Sequence, residues 1–297
     1  MIKHFIDIDQ FTKKKLDKLI YEAKLIKKYP NKFNNYFNNQ TLGLLFEKKS
    51  LRTRLSFTVG MQKMGGNVIE LDSDSIGFGT RESSKDILKT LSQYIDCLMI
   101  RNNDHKQILS LQSEDCLPII NGLSDYSHPC QILSDLLTIE ESIGSIKSKL
   151  ICWIGDFNNV LRSLIQLQKI YFFKLNIVLP KEIISKNKNE LKVYNNISFT
   201  DDIKAGVSKS NCVMTDVWVS MGEKQQNKKK YFKNYKINKE VMKFAKKDAI
   251  FMHCLPAHRE EEVSSEIMDS RQSVIWEQAK NRMYVQQAIL KYLIKRK

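Results

Sequence analysis

The sequence predicts an α/β protein of two domains, each a mainly parallel sheet flanked by helices. Three observations predict it. Short apolar runs end on Gly, Asn, Asp or Pro, helix-length amphipathic segments separate them, and the alternation occurs twice, once on either side of Gly144. Strands alternating with helices make βαβ units, whose crossovers impose parallel pairing.

In the first set the expected strands are 42–46, 68–71, Cys97–Arg101 and 117–121. In the second they are Leu150–Ile154, 176–179, Cys212–Thr215 and Ile250–His253. Helical periodicity covers 51–64, 83–94 and 158–172. The small, polar segment SIGSIKSK (142–149) reads as an interdomain joint, dividing the chain into domains 1–142 and 143–297. A last amphipathic helix, about 277–297, offers Ala279, Met283, Ala288, Leu290 and Leu293 to a buried face and is expected to return to the first domain. The lysine-rich stretch 224–236 reads as an exposed loop or short helix.

Composition narrows the class. A chain of 297 residues, 42% apolar and 27% charged, can bury a core without disulfide or metal staples. No run approaches the roughly 18 apolar residues of a membrane span. The opening MIKHFIDIDQ mixes acidic residues into its apolar ones and lacks a small-residue cleavage site, so a cytoplasmic location is expected. Six cysteines without a CxxC pair read as reduced thiols. His128/Cys130 and His253/Cys254 lack the clustered ligand pairs of structural zinc, and no metal is expected.

The formal charge of +15 invites a nucleic-acid reading. The lysines are scattered, however, as at Lys13-Lys14-Lys15 and Lys27-Lys28, with no Arg-rich tail, zinc-finger spacing or RNP-like motif. A solvated basic surface that attracts anionic substrates explains the charge better than a nucleic-acid partner.

Ligands of parallel sheets collect beyond the carboxyl ends of the strands, and the polar clusters fall there. After the first strand, Ser50-Leu51-Arg52-Thr53-Arg54 opens a helix whose free N–H groups, with the hydroxyls and the Arg52 fork, suit a phosphate. Arg101 closes another strand, and Ser127-His128-Pro129-Cys130-Gln131 follows the next. An Arg, a His and a Gln at successive strand ends suit one small polar ligand. The second half supplies Gly155-Asp156-Phe157-Asn158-Asn159, then Asp216 to Gly222, then His253 to Arg259.

FEKKSLRTR (46–54) and HPCQ (128–131) resemble the signatures of the aspartate and ornithine carbamoyltransferases, whose phosphate loop reads Ser-Thr-Arg-Thr-Arg after Phe-Glu-Lys-Pro. DVWVSMG (216–222) and HCLPAHR (253–259) are similar to the motifs of the ornithine-using branch, and Asn281-Arg282-Met283 matches a third. The likeness runs from about Leu42 to the end.

The resemblance implies that Ser50, Leu51 through its backbone, Arg52 and Thr53 hold the phosphate of carbamoyl phosphate. It implies that Arg101, His128 and Gln131 address the carbamoyl group, with Cys254, Leu255 and Arg282 beside it. Asn159, Asp216, Ser220 and Met221 would hold ornithine, and Arg101, His128, Asp216 and Cys254 would carry the chemistry. The implied reaction gives citrulline and phosphate, in arginine biosynthesis or the catabolic arginine deiminase route. It needs no metal or organic cofactor, because carbamoyl phosphate is already activated. A homotrimer without membrane or nucleic-acid partners is implied as well.

Four departures stand out. Leu51 and Lys49 replace the usual Thr and Pro of the phosphate loop, Gly77 stands where many ornithine enzymes carry Gln, and Asp86-Ile87-Leu88 replaces Asp-Thr-Ala. Loss of one charge-assisted hydrogen bond at Leu51 costs about 1.5–3 kcal/mol. Two rival readings follow: a carbamoyltransferase for another amine such as putrescine, and a catalytically weak relative retained for binding.

Overall fold

In the computed structural model the described residues are 2–48, 50–72, 76–78, 82–194, 197–219 and 226–294. The chain divides into two compact units, one of residues 1–134 with 280–297 and one of residues 135–279.

Unit 1 holds a four-stranded parallel sheet of β1 (Thr41–Phe46), β2 (Asn67–Leu71), β3 (Cys97–Arg101) and β4 (Ile119–Leu123) in the order β2-β1-β3-β4. Both faces of β3 must be apolar to lie between neighbours under helices, and Cys97 to Ile100 are all fully buried. The unit's helices are α1 (Lys13–Lys28), α2 (Leu51–Gln62), α3 (Ser84–Leu91), α4 (His105–Ser113) and the start of α5 (Pro129–Ile143). Thr12, Ser50, Ser83 and Asp104 cap the first four by accepting N–H groups of their first turns. The C-terminal part of the last helix, α12 (Ile275–Leu293), packs here, with the Gln287 amide donating to the Gly60 carbonyl at 2.9 Å.

Unit 2 holds a five-stranded parallel sheet of β5 (Leu150–Ile154), β6 (Lys174–Val178), β7 (Ser198–Thr200), β8 (Cys212–Thr215) and β9 (Ile250–His253), ordered β7-β6-β5-β8-β9. Its long helix α6 (Asn159–Tyr171) ends on Phe172 in the left-handed region. Short helices α7 (Lys181–Lys186), α8 (Lys188–Leu191), α9 (Ile203–Val207), α10 (Lys239–Met242) and α11 (Ser265–Met268) fill the remaining crossovers. One core cluster joins Cys152, Ile154, Val213 and Phe251 of the strands to Ile267, Met268 and Ile275.

Each sheet has one point where the strand order reverses. In unit 1 it lies between β1 and β3, in unit 2 between β5 and β8. Loops leaving those strands diverge and leave a crevice for ligands. Ser50 to Thr53 and Arg101 follow β1 and β3 in one unit, and Asn159 and Asp216 follow β5 and β8 in the other, while His128 and Gln131 follow β4, Cys254 and Leu255 follow β9, and Arg282 lies on α12.

The expected strands and helices form, with local differences. β4 begins two residues later than expected, because Pro118 has no N–H for the ladder. β7 was not expected; it is three residues long and pairs with β6 alone. The stretch 226–232 is a 3-10 helix, Gln226–Phe232.

Candidate active site

In unit 1 the site is built on the first turn of α2. Ser50 caps it, its Oγ accepting the Thr53 N–H at 3.4 Å, which leaves the other first-turn N–H groups and the positive dipole end facing the β1–β3 crevice. Thr53 is 1% exposed, and its hydroxyl oxygen accepts from Arg101 Nη1 at 3.1 Å and from Arg282 Nη2 at 2.9 Å. β3 delivers Arg101, just after a register shift at Ile100/Arg101, and α12 delivers Arg282. Two guanidinium groups on one hydroxyl, beside a helix N-terminus, make a preorganised anion pocket.

His128, immediately before α5, is buried beside this pair. Burial first, then the charges of Arg282 and Arg101, hold its imidazole pKa well below the ordinary value. The ring is therefore neutral at physiological pH and has a neutral N–H to offer a ligand. Gln131 is fully buried on the first turn of α5. Burial pushes the neighbouring Cys130 thiol up to about 12, with Arg282 opposing the shift, so Cys130 is a packing thiol.

Arg52 is half-buried at the start of α2, whereas the Leu51 side chain is 67% exposed and adds no donor. Arg54 pairs with Glu70 and lies 4.9 Å from the Phe46 ring centroid, which ties it to the β2 side.

In unit 2 the site surrounds Asp216, at the end of β8. Gly155 turns away from β5 at φ +146°, and a Cβ there would stand 3.2 Å from Thr215 Oγ1, so the approach of the two strand ends requires glycine. Both Asp216 oxygens are engaged. The Asn158 amide donates to Oδ2 at 2.8 Å and the Cys254 thiol donates to Oδ1 at 3.0 Å. Asn158 also caps α6, its side-chain oxygen accepting the N–H groups of Val160 and Leu161. Asn159 is the first residue of α6 and half-buried. Asp156 receives the Lys228 ammonium.

The turn carrying Cys254 and Leu255 is fixed from behind. His253 Nδ1 accepts the Leu255 N–H at 2.9 Å, so Nε2 carries the hydrogen and donates to Glu262 Oε1 at 3.1 Å. Glu262 is fully buried and accepts the His258 N–H at 2.6 Å as well. These bonds hold Leu255 at φ +59°, a conformation that a branched side chain rarely adopts. Ligand atoms of Asp216, His253 and Cys254 lie within 4.8 Å of one another, the spacing of a metal site. Both His253 nitrogens are already committed, so the donor set does not fit one, since even an open zinc site uses three protein ligands.

Unit 1 thus holds Ser50, Leu51, Arg52, Thr53, Arg101, His128, Gln131 and Arg282, and unit 2 holds Asn159, Asp216, Cys254 and Leu255. Ser220 and Met221 lie outside the described residues. Sequence reasoning missed Asn158 and Glu262. The first had a signal, an Asn as the opening residue of a helical pattern; the second had none, because its partner His253 is known only from the folded turn.

The carbamoyl-P binding domain of aspartate/ornithine carbamoyltransferase matches residues 3–141, and the Asp/Orn binding domain of the same family matches 147–293. Similarity to the ornithine carbamoyltransferase of Ruthia magnifica subsp. Calyptogena magnifica reaches 43% identity over 99% of this chain and 100% of the relative. The solved ornithine carbamoyltransferase of Pyrococcus furiosus superposes with TM-score 0.88 at 34% identity, over 98% of this chain and 96% of that one. The Burkholderia thailandensis enzyme gives 0.89 at 33%, over 99% of each chain.

Proposed function

This chain belongs to the aspartate/ornithine carbamoyltransferase family, and from that premise we propose that it transfers the carbamoyl group of carbamoyl phosphate to the side-chain amine of ornithine, releasing citrulline and phosphate. The observation that carries the reading is Thr53, its hydroxyl held by Arg101 and Arg282 at the N-terminus of α2, with neutral His128 beside them. A phosphate on that helix terminus, with Ser50 and Arg52, leaves the carbamoyl oxygen to Arg101, His128 and Thr53, and the carbamoyl amide to Gln131.

The attacking amine must first lose a proton, since a lysine-like amine has a reference pKa of about 10.4. Asp216 holds the ammonium, and the Cys254 thiol on its other oxygen belongs to the same hydrogen-bond network, through which the proton departs. The free amine then attacks the carbonyl carbon. Arg101, Thr53 and the His128 N–H stabilise the oxyanion as fixed dipoles and charges. Collapse breaks the C–O bond to phosphate, whose charge Arg52, Arg282 and the helix terminus neutralise. The second amine proton leaves with the phosphate. Asn159, Ser220 and Met221 orient the amino acid's α-substituents.

Among the described residues no helix is long and apolar enough to cross a membrane. A cytoplasmic homotrimer feeding arginine biosynthesis or the arginine deiminase route completes the proposal. Citrulline formation by the purified chain tests it, with putrescine as the competing acceptor. Product from ornithine at least a hundred times faster than from putrescine supports the reading. Equal or reversed rates overturn it.

A further inference from the structure

The turn behind Cys254 holds a carboxylate that the proposed reaction does not use. Glu262 is fully buried, and its Oε1 is engaged twice, by His253 Nε2 at 3.1 Å and by the His258 N–H at 2.6 Å. Its Oε2 is shielded from solvent and accepts no hydrogen bond. Nine in ten or more buried polar groups in folded proteins are partnered. A bare carboxylate oxygen is among the costliest to leave alone.

That oxygen faces a defined place. His258 Nδ1 stands 3.8 Å from Glu262 Oε2, and Glu261 Oε2 stands 3.9 Å from the same nitrogen, both too far for a hydrogen bond. One ligand atom from each of the three residues lies within 4.8 Å of the others. Donors around a zinc ion at bonds of about 2.0–2.2 Å stand about 3–3.5 Å apart, so closure needs only a few tenths of an ångström. The His258 and Glu261 side chains are partly exposed and can supply it. The nearby cations are directed elsewhere: Lys229 to Glu261 at 2.7 Å, Lys236 to Glu260 at 3.5 Å and Arg259 to Asp269 at 2.6 Å. Among the described residues no lysine or arginine pairs with Glu262, whose ion-pair neighbours are His253 and His258.

We propose that His258 Nδ1, Glu261 Oε2 and Glu262 Oε2 form a site for a divalent cation of the zinc class, with water completing the coordination from the exposed side. One imidazole nitrogen with two carboxylate oxygens suits such an ion. The bonds from His253 and the His258 N–H fix the Glu262 carboxylate from behind, as the outer partners of a metal ligand do. Glu261 exchanges the Lys229 ammonium for the cation. The cation is structural: through Glu262 and His253 it secures the turn that presents Cys254 and Leu255. Its binding does not depend on the reaction proposed above.

Isothermal titration of the metal-free, untagged full chain with zinc chloride at pH 7.5 tests it, beside a titration with magnesium chloride. Cys254→Ala first removes the thiol next to Asp216, so the remaining binding reports on the 258–262 turn. The expected result is one molar equivalent of saturable zinc binding in Cys254→Ala, at least tenfold tighter than magnesium. His258→Ala keeps the backbone N–H that Glu262 accepts, and Glu261→Gln alters an exposed side chain, so both leave the turn folded. Each, added to Cys254→Ala, is expected to weaken zinc binding at least tenfold, whereas Lys229→Met, which frees Glu261, tightens it. Absence of zinc binding in Cys254→Ala, binding that neither His258→Ala nor Glu261→Gln weakens, or magnesium binding as tight as zinc overturns the proposal.

Discussion

The Cys254 thiol donates to Asp216 Oδ1 at 3.0 Å, across 38 residues of sequence, while Asn158 holds the other oxygen. The carboxylate proposed to receive the ornithine amine is therefore fixed in place before any substrate arrives. A hydrogen bond to a charged partner contributes about 1.5–3 kcal/mol. Cys254→Ala is expected to lower kcat by about ten- to a hundredfold, and Cys254→Ser, which restores a donor, to recover part of the loss. Steady-state citrulline assays of both variants check this.

Asn158 does two jobs that one pair of substitutions probes. Asn158→Ala removes the α6 cap, for a stability loss of about 1 kcal/mol, together with the amide on Asp216. Asn158→Asp keeps a capping oxygen but sets a second carboxylate against Asp216. The expected outcome is a Tm lowered by the lost cap in Asn158→Ala, and lowered in Asn158→Asp by two buried carboxylates in contact although the cap is kept. Ornithine KM should rise about tenfold in both, as thermal unfolding and kinetics on the same preparations will register.

Thr53→Val keeps the volume and removes the acceptor of two guanidinium groups, one of them on Arg282, which is 4% exposed. Leaving those donors without the hydroxyl costs about 3 kcal/mol in carbamoyl phosphate use, about a hundredfold in kcat/KM. Ornithine KM should stay within a factor of two to three. A comparable loss for both substrates would contradict the assignment of Thr53 to the carbamoyl phosphate half-site.

The lowered pKa of His128 has a consequence for stability. In the unfolded chain this imidazole takes a proton near pH 6.5, whereas the buried ring resists it, so the unfolded state binds more protons below that value. The stabilisation from the neutral ring is complete above about pH 6.5 and is lost as pH falls below it, by at most about 1.4 kcal/mol per pH unit. Urea unfolding between pH 7.5 and 5 should show that slope, reduced in His128→Asn.

Leu51 is the departure with a direct remedy. Its side chain is 67% exposed, so Leu51→Thr needs no repacking and returns a hydroxyl beside the α2 terminus. Carbamoyl phosphate KM is expected to fall about fivefold, about 1 kcal/mol. An unchanged KM would mean that the backbone N–H alone serves this position.

Much of the fold was legible because buried parallel strands are apolar over most of their length, as Cys97 to Ile100 and Cys212 to Met214 are. β7 was not legible, since a three-residue strand with one partner carries no periodicity. The proposed anion pocket was partly readable from Ser50 to Thr53, where one helix turn collects the groups. The roles of Asn158 and Glu262 were not, because Asp216 lies 58 residues from the first and the turn at His253 exists only once folded. Sequence order does not reveal which buried carboxylate faces which donor.

In the proposed function the α2 anion pocket and the Asp216 carboxylate serve one reaction. The most direct measurement is citrulline and phosphate release by the purified chain from carbamoyl phosphate and ornithine, run beside Asp216→Asn. Equimolar products are expected from the parent, and a rate at least a thousandfold lower from Asp216→Asn. No citrulline from the parent, or a rate that Asp216→Asn leaves unchanged, would contradict it.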